Sequence, residues 1–264
     1  GEEESKTTEF LQYARDLANK AGGPAPQPHA PDTDRIDEVA SEAGNSRLVK
    51  LFDYKDDILK DITEWQTREE SIAKRMPNWD SLKVLTSLSR ELSFYSELKA
   101  EVHAIETGRR LLENPDPVGP LVNEATDNLR GAINHHFDLY KAAYDQALIM
   151  IESDANWVKL DPVKQAELLS RRVIKLPEQP LLNSTLDVID SLEECTLEQW
   201  NDRRGALQNK FESAREEAAQ FLMPKAVRAQ LPRATLETAK DIDGWLAKAK
   251  TELESKLEQG PVIV

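Results

Sequence analysis

The sequence is poor in the residues on which most catalytic and metal-binding chemistry depends. It contains one cysteine, four histidines and ten glycines among 264 residues. A single cysteine excludes an intramolecular disulfide and a cysteine-based metal cluster, and it favours a reducing, cytoplasmic setting. The glycines form neither a G-x-x-x-x-G-K-[ST] nor a G-x-G-x-x-G motif, so nucleotide hydrolysis by this chain is not expected.

Long apolar segments are also missing. No run of about 18 apolar residues occurs, so the sequence predicts no transmembrane span. The N-terminus lacks the basic and then apolar pattern of a signal peptide. The chain begins with Gly1 and no initiator methionine follows it, which indicates a fragment cut from a larger protein.

The charge of the chain is strongly acidic. Lysine and arginine number 34 against 48 aspartates and glutamates, which gives a net charge of −14. Because an acidic surface repels phosphate, the whole chain is a poor candidate for a non-specific DNA-binding protein. Charged residues make up 31% and aromatic residues 6% of the sequence, a composition typical of long solvated helices rather than of a β-rich fold.

Apolar residues recur at steps of three and four along most of the chain, which indicates amphipathic helices. Ser46 is expected to cap a long helix that Pro77 ends, and Asn78 to cap the next. Two apolar stripes on either side of the turn at 114–120 predict an antiparallel helical hairpin over 79–152. The predicted fold is all-α, an elongated helical bundle built on long antiparallel coiled-coil-like hairpins. Such apolar seams pack equally well within one chain or between two copies of it, so the sequence allows either a monomer or a homo-oligomer.

Three regions follow from the helix and proline pattern. Residues 1–31 hold a short helix and a linker with four prolines, which we expect to be extended, and the helix is either loosely docked or part of what precedes it. Residues 32–156 form the hairpin region, and residues 157–264 form a C-terminal helical region. Further helix starts are expected at the following positions: Asp161–Pro162, Ser184 or Thr185, Thr196 and Thr235. Met223–Pro224 is expected to end one helix, Gly260 to follow another, and the tail 261–264 to pack back or form a strand.

The residues that most often carry catalysis are not arranged for it. His135 and His136 are adjacent and point about 100° apart on a helix, and His103 lacks a histidine four residues away. The paired carboxylates, such as Glu216 and Glu217, are typical of a solvated helix face, and Cys195 is interpreted as structural. We therefore expect no catalytic residue, no cofactor and no metal site in this chain.

Five basic residues form the clusters that most resemble a phosphate-binding surface. They are Arg171, Arg172, Lys175, Arg203 and Arg204. Salt bridges to the many neighbouring carboxylates are the favoured interpretation. Contact with nucleic acid is the alternative, and it would make the chain a nucleic-acid-contacting helical arm.

Several sequence segments resemble a known family. They are Arg68–Trp79 (REESIAKRMPNW), Leu111–Leu121 (LLENPDPVGPL), Asn128–Arg130 (NLR) and the ending Gly260–Val262 (GPV). Together they resemble the C-terminal helical region of the BREX phage-resistance ATPase, the BrxC/PglY family, over most of residues 46–264. The resemblance implies a large cytoplasmic bacterial protein whose P-loop ATPase module lies outside this chain.

The same resemblance implies a role for the chain. It would be a non-catalytic interaction and scaffolding module that helps to assemble a defence complex, which includes a DNA methyltransferase and a phosphatase-like partner. The candidate partner-binding residues are those of the turn: Pro115, Asp116, Pro117 and Val118. The alternative interpretation of these prolines is that they only set the turn.

Overall fold

The computed structural model describes residues 2–223 and 227–264, so predictions that fall on Gly1 and Pro224 lie outside the described residues. These residues are mostly helical, which confirms the all-α class. None of the described helices has the length and apolar character needed to cross a membrane. The elements are α1 (Glu2–Lys20), α2 (Asp34–Ser41), α3 (Gly44–Leu88), α4 (Tyr95–Thr107), α5 (Val118–Glu152), a 3-10 helix (Trp157–Lys159), α6 (Pro162–Arg171), α7 (Thr185–Glu194), α8 (Leu197–Leu222), β1 (Val227–Arg228), α9 (Ala239–Leu257) and β2 (Val262–Ile263).

The chain folds into two compact units. The first consists of Gly1–Asp138 with Gln179–Trp200, and the second of Leu139–Glu178 with Asn201–Val264. The predicted region 1–31 lies within the first unit, whereas the predicted regions 32–156 and 157–264 each contribute to both.

In the first unit, α1 is docked through its apolar face. This helix packs against α2 and α3, and the three helices share one buried cluster. The cluster consists of Leu11, Ala14, Leu17, Ala18, Ala21, Ile36, Val39, Ile58, Ile62 and Trp65. Removing these side chains from water fixes α1 on the unit. An ion pair between Arg15 and Asp37, 2.5 Å apart, joins α1 to α2 at the rim.

The proline-rich segment after α1 is a folded loop and not the expected extended linker. Its backbone closes on itself, because the Gly23 amide donates to the Pro28 carbonyl at 3.0 Å and the Gln27 amide to the Pro24 carbonyl at 3.0 Å. A Cβ added at Gly22 would lie 2.5 Å from backbone atoms of His29, so only glycine fits this close approach. Proline stiffens the loop, but backbone hydrogen bonds decide its path.

The prediction that Pro77 ends a helix was wrong. Helix α3 continues through it for eleven more residues, and Asn78 caps nothing there. Proline in a helix interior removes one hydrogen bond and crowds the preceding turn. Both sides of it are anchored in the core by buried side chains, Ile72 before and Trp79 after, so tertiary packing offsets this local cost. The start of α3 also differs, because Ala43 and not Ser46 is its N-cap residue.

The predicted first arm of the hairpin is interrupted. Helix α3 ends at Leu88 and α4 begins at Tyr95, with tight turns between them in which the Leu92 amide donates to the Ser89 carbonyl at 2.9 Å. The Ser89 hydroxyl also donates to the Leu85 carbonyl at 2.7 Å and so satisfies a carbonyl at the helix end. Leu92 still packs on the core, so the apolar stripe persists across the break. The coiled-coil-like character of the hairpins stays a prediction.

A second core in the first unit joins five helices. Its buried side chains come from the C-terminal half of α3, from α4, from the N-terminal part of α5, from α7, from the first residue of α8 and from two loop residues, Leu111 and Leu182. The largest of those that are fully buried are Trp79, Leu82, Leu85, Ile105, Leu111, Leu129 and Ile133. Helix α7 is placed by the predicted cap, since Ser184 and Asp187 form a reciprocal capping box at its start.

The second unit contains the end of α5, α6, most of α8 and a small βαβ element. Aromatic rings of Tyr144 and Phe211 meet edge to face, with centroids 5.7 Å apart, and bring α5 against α8. Strands β1 and β2 pair in parallel on one side of α9, which packs against both. The tail therefore forms a strand, one of the two predicted outcomes. Helix α9 begins at Ala239, four residues after the expected Thr235, because Thr238 and Asp241 form its capping box.

Candidate interaction surfaces

The proline-rich turn before α5 is held in place by Arg75 of α3. The Arg75 guanidinium Nη1 donates to the Leu111 carbonyl at 2.8 Å and to the Glu113 carbonyl at 2.7 Å. The same nitrogen lies 3.9 Å from Asp116 Oδ1. One partly buried cation thus satisfies backbone acceptors of the turn, which an irregular segment does not satisfy internally.

The four residues predicted to bind a partner do not all lie on the surface. Pro115 is exposed, Asp116 and Pro117 are half-buried, and Val118 is fully buried in the core of the first unit. The Asp116 carboxylate accepts the Val118 amide at 3.0 Å and so caps the start of α5. Val118 is therefore removed from the candidate surface, and Asp116 has a structural role. Partner binding by Pro115 and Pro117 stays a prediction.

Sequence reasoning missed that this turn is tied to the N-terminal loop. Arg109 Nη1 donates to the Gly23 carbonyl at 2.7 Å and to the Gln27 carbonyl at 2.9 Å. The Leu111 amide donates to the Pro26 carbonyl at 3.2 Å. The sequence does carry a signal, because a polar residue, Arg109, occupies the position between Ile105 and Leu112 where the three- and four-residue steps place an apolar one. Arg109 also has φ of +51°, a left-handed conformation just after the end of α4.

Two of the five basic candidates are paired with carboxylates in the second unit. Arg171 bonds Glu217 of α8 and also Glu167, one turn away on α6, at 2.5 Å. Arg172 lies 3.2 Å from the other oxygen of Glu217. These contacts agree with the favoured salt-bridge interpretation, and they reduce the positive potential that a phosphate would meet.

The remaining three basic candidates lie elsewhere in the same unit. The Lys175 carbonyl is 3.5 Å from the Tyr140 hydroxyl. Burial raises the pKa of this hydroxyl, and the positive charge of Arg203 acts in the opposite direction. Arg204 follows on α8 and is half-buried. Arg203 is 14 residues from Glu217 along α8, about 21 Å at the helical rise. Arg203 therefore lies well away along α8 from Glu217 and its two arginines, and nucleic-acid contact by the five residues stays a prediction.

A concavity of about 450 Å³ beside α2 is lined mainly by charged side chains. Arg35 of this lining pairs with Asp61 at 2.9 Å. The pKa of Asp34 is raised, first by a hydrogen bond with Asp32 and then by the repulsion between the two carboxylates. Across residues 2–223 and 227–264, no group of three histidine, cysteine, aspartate or glutamate side chains is placed to hold a metal ion.

Exposed apolar side chains occur along most of the described chain, and two helices each carry several of them. On the first half of α3 they are Leu48, Val49, Phe52 and Leu59. On α9 they are Ile242, Leu246 and Leu257. Single exposed apolar residues are ordinary, but groups at helical spacing mark surfaces that bind other proteins.

The comparisons with known proteins add no relative to this description. No protein-family model matches the chain, and comparison with curated proteins and with solved structures finds no significant similarity.

Proposed function

We propose that this chain is a non-catalytic helical module that binds other proteins and helps to assemble a larger complex. The observation that supports the proposal is the apolar face on the first half of α3, the α3 face, made of Leu48, Val49, Phe52 and Leu59. Phe52 is 78% exposed, although an aromatic ring is among the side chains that gain most from burial.

The α3 face is displayed from a rigid support. The buried Ile58 lies about 120° around the helix from Phe52, on the side that packs against α1 and α2. Because that side fixes the backbone, Phe52 and Leu59, seven residues apart, keep a constant spacing of about 10 Å. A preorganised surface of this kind loses little conformational entropy on binding.

The net charge of the whole chain favours a basic partner for the α3 face. The exposed charged residues that follow Phe52 on α3 are nearly balanced, with three aspartates and two lysines: Asp53, Asp56, Asp57, Lys55 and Lys60. The whole chain carries a net charge of −14. A negative net charge speeds encounter with a basic partner and disfavours acidic ones, while the apolar centre holds the complex.

The resemblance to the BREX phage-resistance ATPase supports a more specific version of this proposal. In that version the chain is the C-terminal arm of such an ATPase, in bacterial cytoplasm, and it helps to assemble the defence complex. The DNA methyltransferase and the phosphatase-like protein of that complex are then the candidate partners of the α3 face.

The test measures binding of the purified chain to each of these two proteins by calorimetry. Phe52→Glu is expected to weaken binding at least tenfold, because it puts a charge into the apolar centre of the contact. Val163→Glu is the matched control, because Val163 is also 78% exposed but belongs to the second unit. It is expected to change affinity less than about twofold. Absence of binding below about 100 μM for both proteins, or equal effects of the two variants, contradicts the proposal.

A further inference from the structure

Helix α9 carries a second apolar surface, separate from the α3 face. The helix packs against β1 and β2, Ala249 is buried, and Trp245 is half-buried with its indole Nε1 donating to the Pro232 carbonyl at 2.6 Å. Three larger side chains remain in solvent: Ile242 is 47%, Leu246 52% and Leu257 60% exposed. The capping box at Thr238 holds this helix in place, so the exposed side chains belong to ordered structure.

The exposed side chains form one line with a half-buried neighbour, Leu253. At 100° per residue, Ile242, Leu246, Leu253 and Leu257 fall within about 60° of the helix circumference. The line is about 22 Å long at the helical rise. We call these four residues the α9 stripe. Apolar residues at steps of three and four are typical of a face that packs on another helix. The seven-residue gap in the stripe, between Leu246 and Leu253, contains Ala249, which is buried.

The spacing of the α9 stripe is the same when read from either end. The intervals between its members are four, seven and four residues. Two copies of α9 laid antiparallel therefore place Ile242 opposite Leu257 and Leu246 opposite Leu253 at every level of the contact. A two-fold axis requires this kind of self-complementarity, because the same patch must serve both sides.

The charge of this part of the chain also permits a second copy. Residues 227–264 hold six basic and six acidic side chains, so their net charge is zero. The excess of 14 negative charges lies entirely in the preceding residues. Since two copies of an acidic chain repel each other, the neutral C-terminal segment is where they approach most easily.

We propose that this chain forms a two-fold dimer through its α9 stripe, with the two α9 helices antiparallel. The α9 stripe belongs to the second unit, whereas the α3 face belongs to the first. A stripe of four side chains per copy lies at the small end of specific interfaces, below about 1,200 Å² in total. The dimer therefore dissociates on dilution, with a Kd on the order of 10 μM.

The first test is sedimentation equilibrium of the whole chain from about 1 to 200 μM, which brackets that Kd. The weight-average mass is expected to rise from 29.8 kDa toward twice that value. Leu246→Glu is expected to keep the chain monomeric throughout, because the two introduced charges lie against the apolar residues of the opposite copy. Phe52→Glu, the control on the α3 face, is expected to dimerise as the parent does. Circular dichroism checks that both variants keep their helix content.

The second test fixes the direction of the helices through cross-linking. Cys195 is the only native thiol and is buried, so a cysteine introduced on α9 is the accessible one. In the antiparallel dimer, Leu246→Cys and Leu253→Cys form a disulfide with each other when mixed. Each variant alone is expected to cross-link at least tenfold more slowly, since its own two thiols lie about 10 Å apart along the axis.

The outcomes separate this proposal from the proposed function. A chain that remains a monomer at every concentration, or a dimer unaffected by Leu246→Glu, overturns the α9 dimer whatever the α3 face binds. Cross-linking of each variant with itself as fast as in the mixture overturns the antiparallel arrangement. A dimer that passes both tests while neither defence protein binds supports the α9 contact and contradicts only the assembly role.

Discussion

Replacing Arg109 is expected to release the proline-rich loop from the rest of the first unit. The guanidinium is half-buried and donates from Nη1 to two backbone carbonyls, of Gly23 and Gln27. In Arg109→Ala these carbonyls lose their charged donor, while the helices of the unit keep their own cores. The perturbation is therefore local, and its size follows from the two hydrogen bonds.

The expected magnitude is about 2–4 kcal/mol for the free energy of loop opening. A hydrogen bond to a charged group contributes about 1.5–3 kcal/mol, and partial access of water to the carbonyls lowers the sum of two. Arg109 also has φ of +51°, a conformation that costs a side-chain-bearing residue about 1 kcal/mol or more. Arg109→Gly loses the same bonds but not this strain, so it is expected to be about 1 kcal/mol less harmful than Arg109→Ala.

Hydrogen exchange followed by mass spectrometry measures this opening. In Arg109→Ala, amides in peptides covering residues 22–31 are expected to exchange about 30- to 1,000-fold faster, while those of α5 keep their protection. Arg110→Ala is the control, because that exposed side chain makes only a surface ion pair with Glu113, 2.5 Å away, and is worth less than about 1 kcal/mol. Unchanged exchange in Arg109→Ala, or faster exchange in Arg109→Gly than in Arg109→Ala, would refute the reasoning.

Three further predictions concern helix chemistry. Pro77→Ala is expected to raise the free energy of unfolding by about 1–2 kcal/mol, and with it the urea midpoint, because Pro77 is exposed inside α3. A lower midpoint would show that the proline is needed there. Ser184→Ala is expected to cost about 1 kcal/mol in the same assay, and Ser184→Asp to restore it. The Thr238 hydroxyl lowers the pKa of Asp241, so the stabilising charge of this carboxylate is present above the ordinary aspartate pKa of about 4 and is lost as pH falls through the lowered pKa. Helicity of α9, followed by NMR, is expected to decrease over that acidic range, and Asp241→Asn to remove the pH dependence.

Local chemistry explains why several helix starts were predicted correctly. Ser184 with Asp187, Asp161 with Pro162, and Thr196 with Gln199 each satisfy free amides within one turn of helix. Such contacts involve residues a few positions apart, so their geometry follows from the sequence itself. These capping contacts form irrespective of the unit in which the helix is packed.

Positions that depend on distant contacts were predicted poorly. Pro77 lies inside a helix because core residues on both sides of it are buried, a fact that no window of sequence contains. The break at residues 89–94 preserves the apolar stripe, and a stripe by itself cannot distinguish one long helix from two. Helix α1 was left undecided for the same reason, since its partners lie in α2 and α3.

The candidate surfaces show the same division. Sequence identified the proline-rich turn as a special place, but burial of Val118 and the contacts of Asp116 come from packing against residues far along the chain. Arg171 and Arg172 pair with Glu217, which lies 46 and 45 positions further along the chain. Exposure of Phe52 was equally invisible, because the sequence does not say which apolar positions of α3 find partners.

The sequence by itself determined the all-α class, most of the helix segments and several of the caps that start them, because helical periodicity and capping act over a few residues. The tertiary structure alone decided that the proline-rich loop folds against Arg109, that α3 passes through Pro77, and which apolar faces remain in solvent. These outcomes depend on contacts between residues far apart in the chain, where burial of apolar surface outweighs local preference.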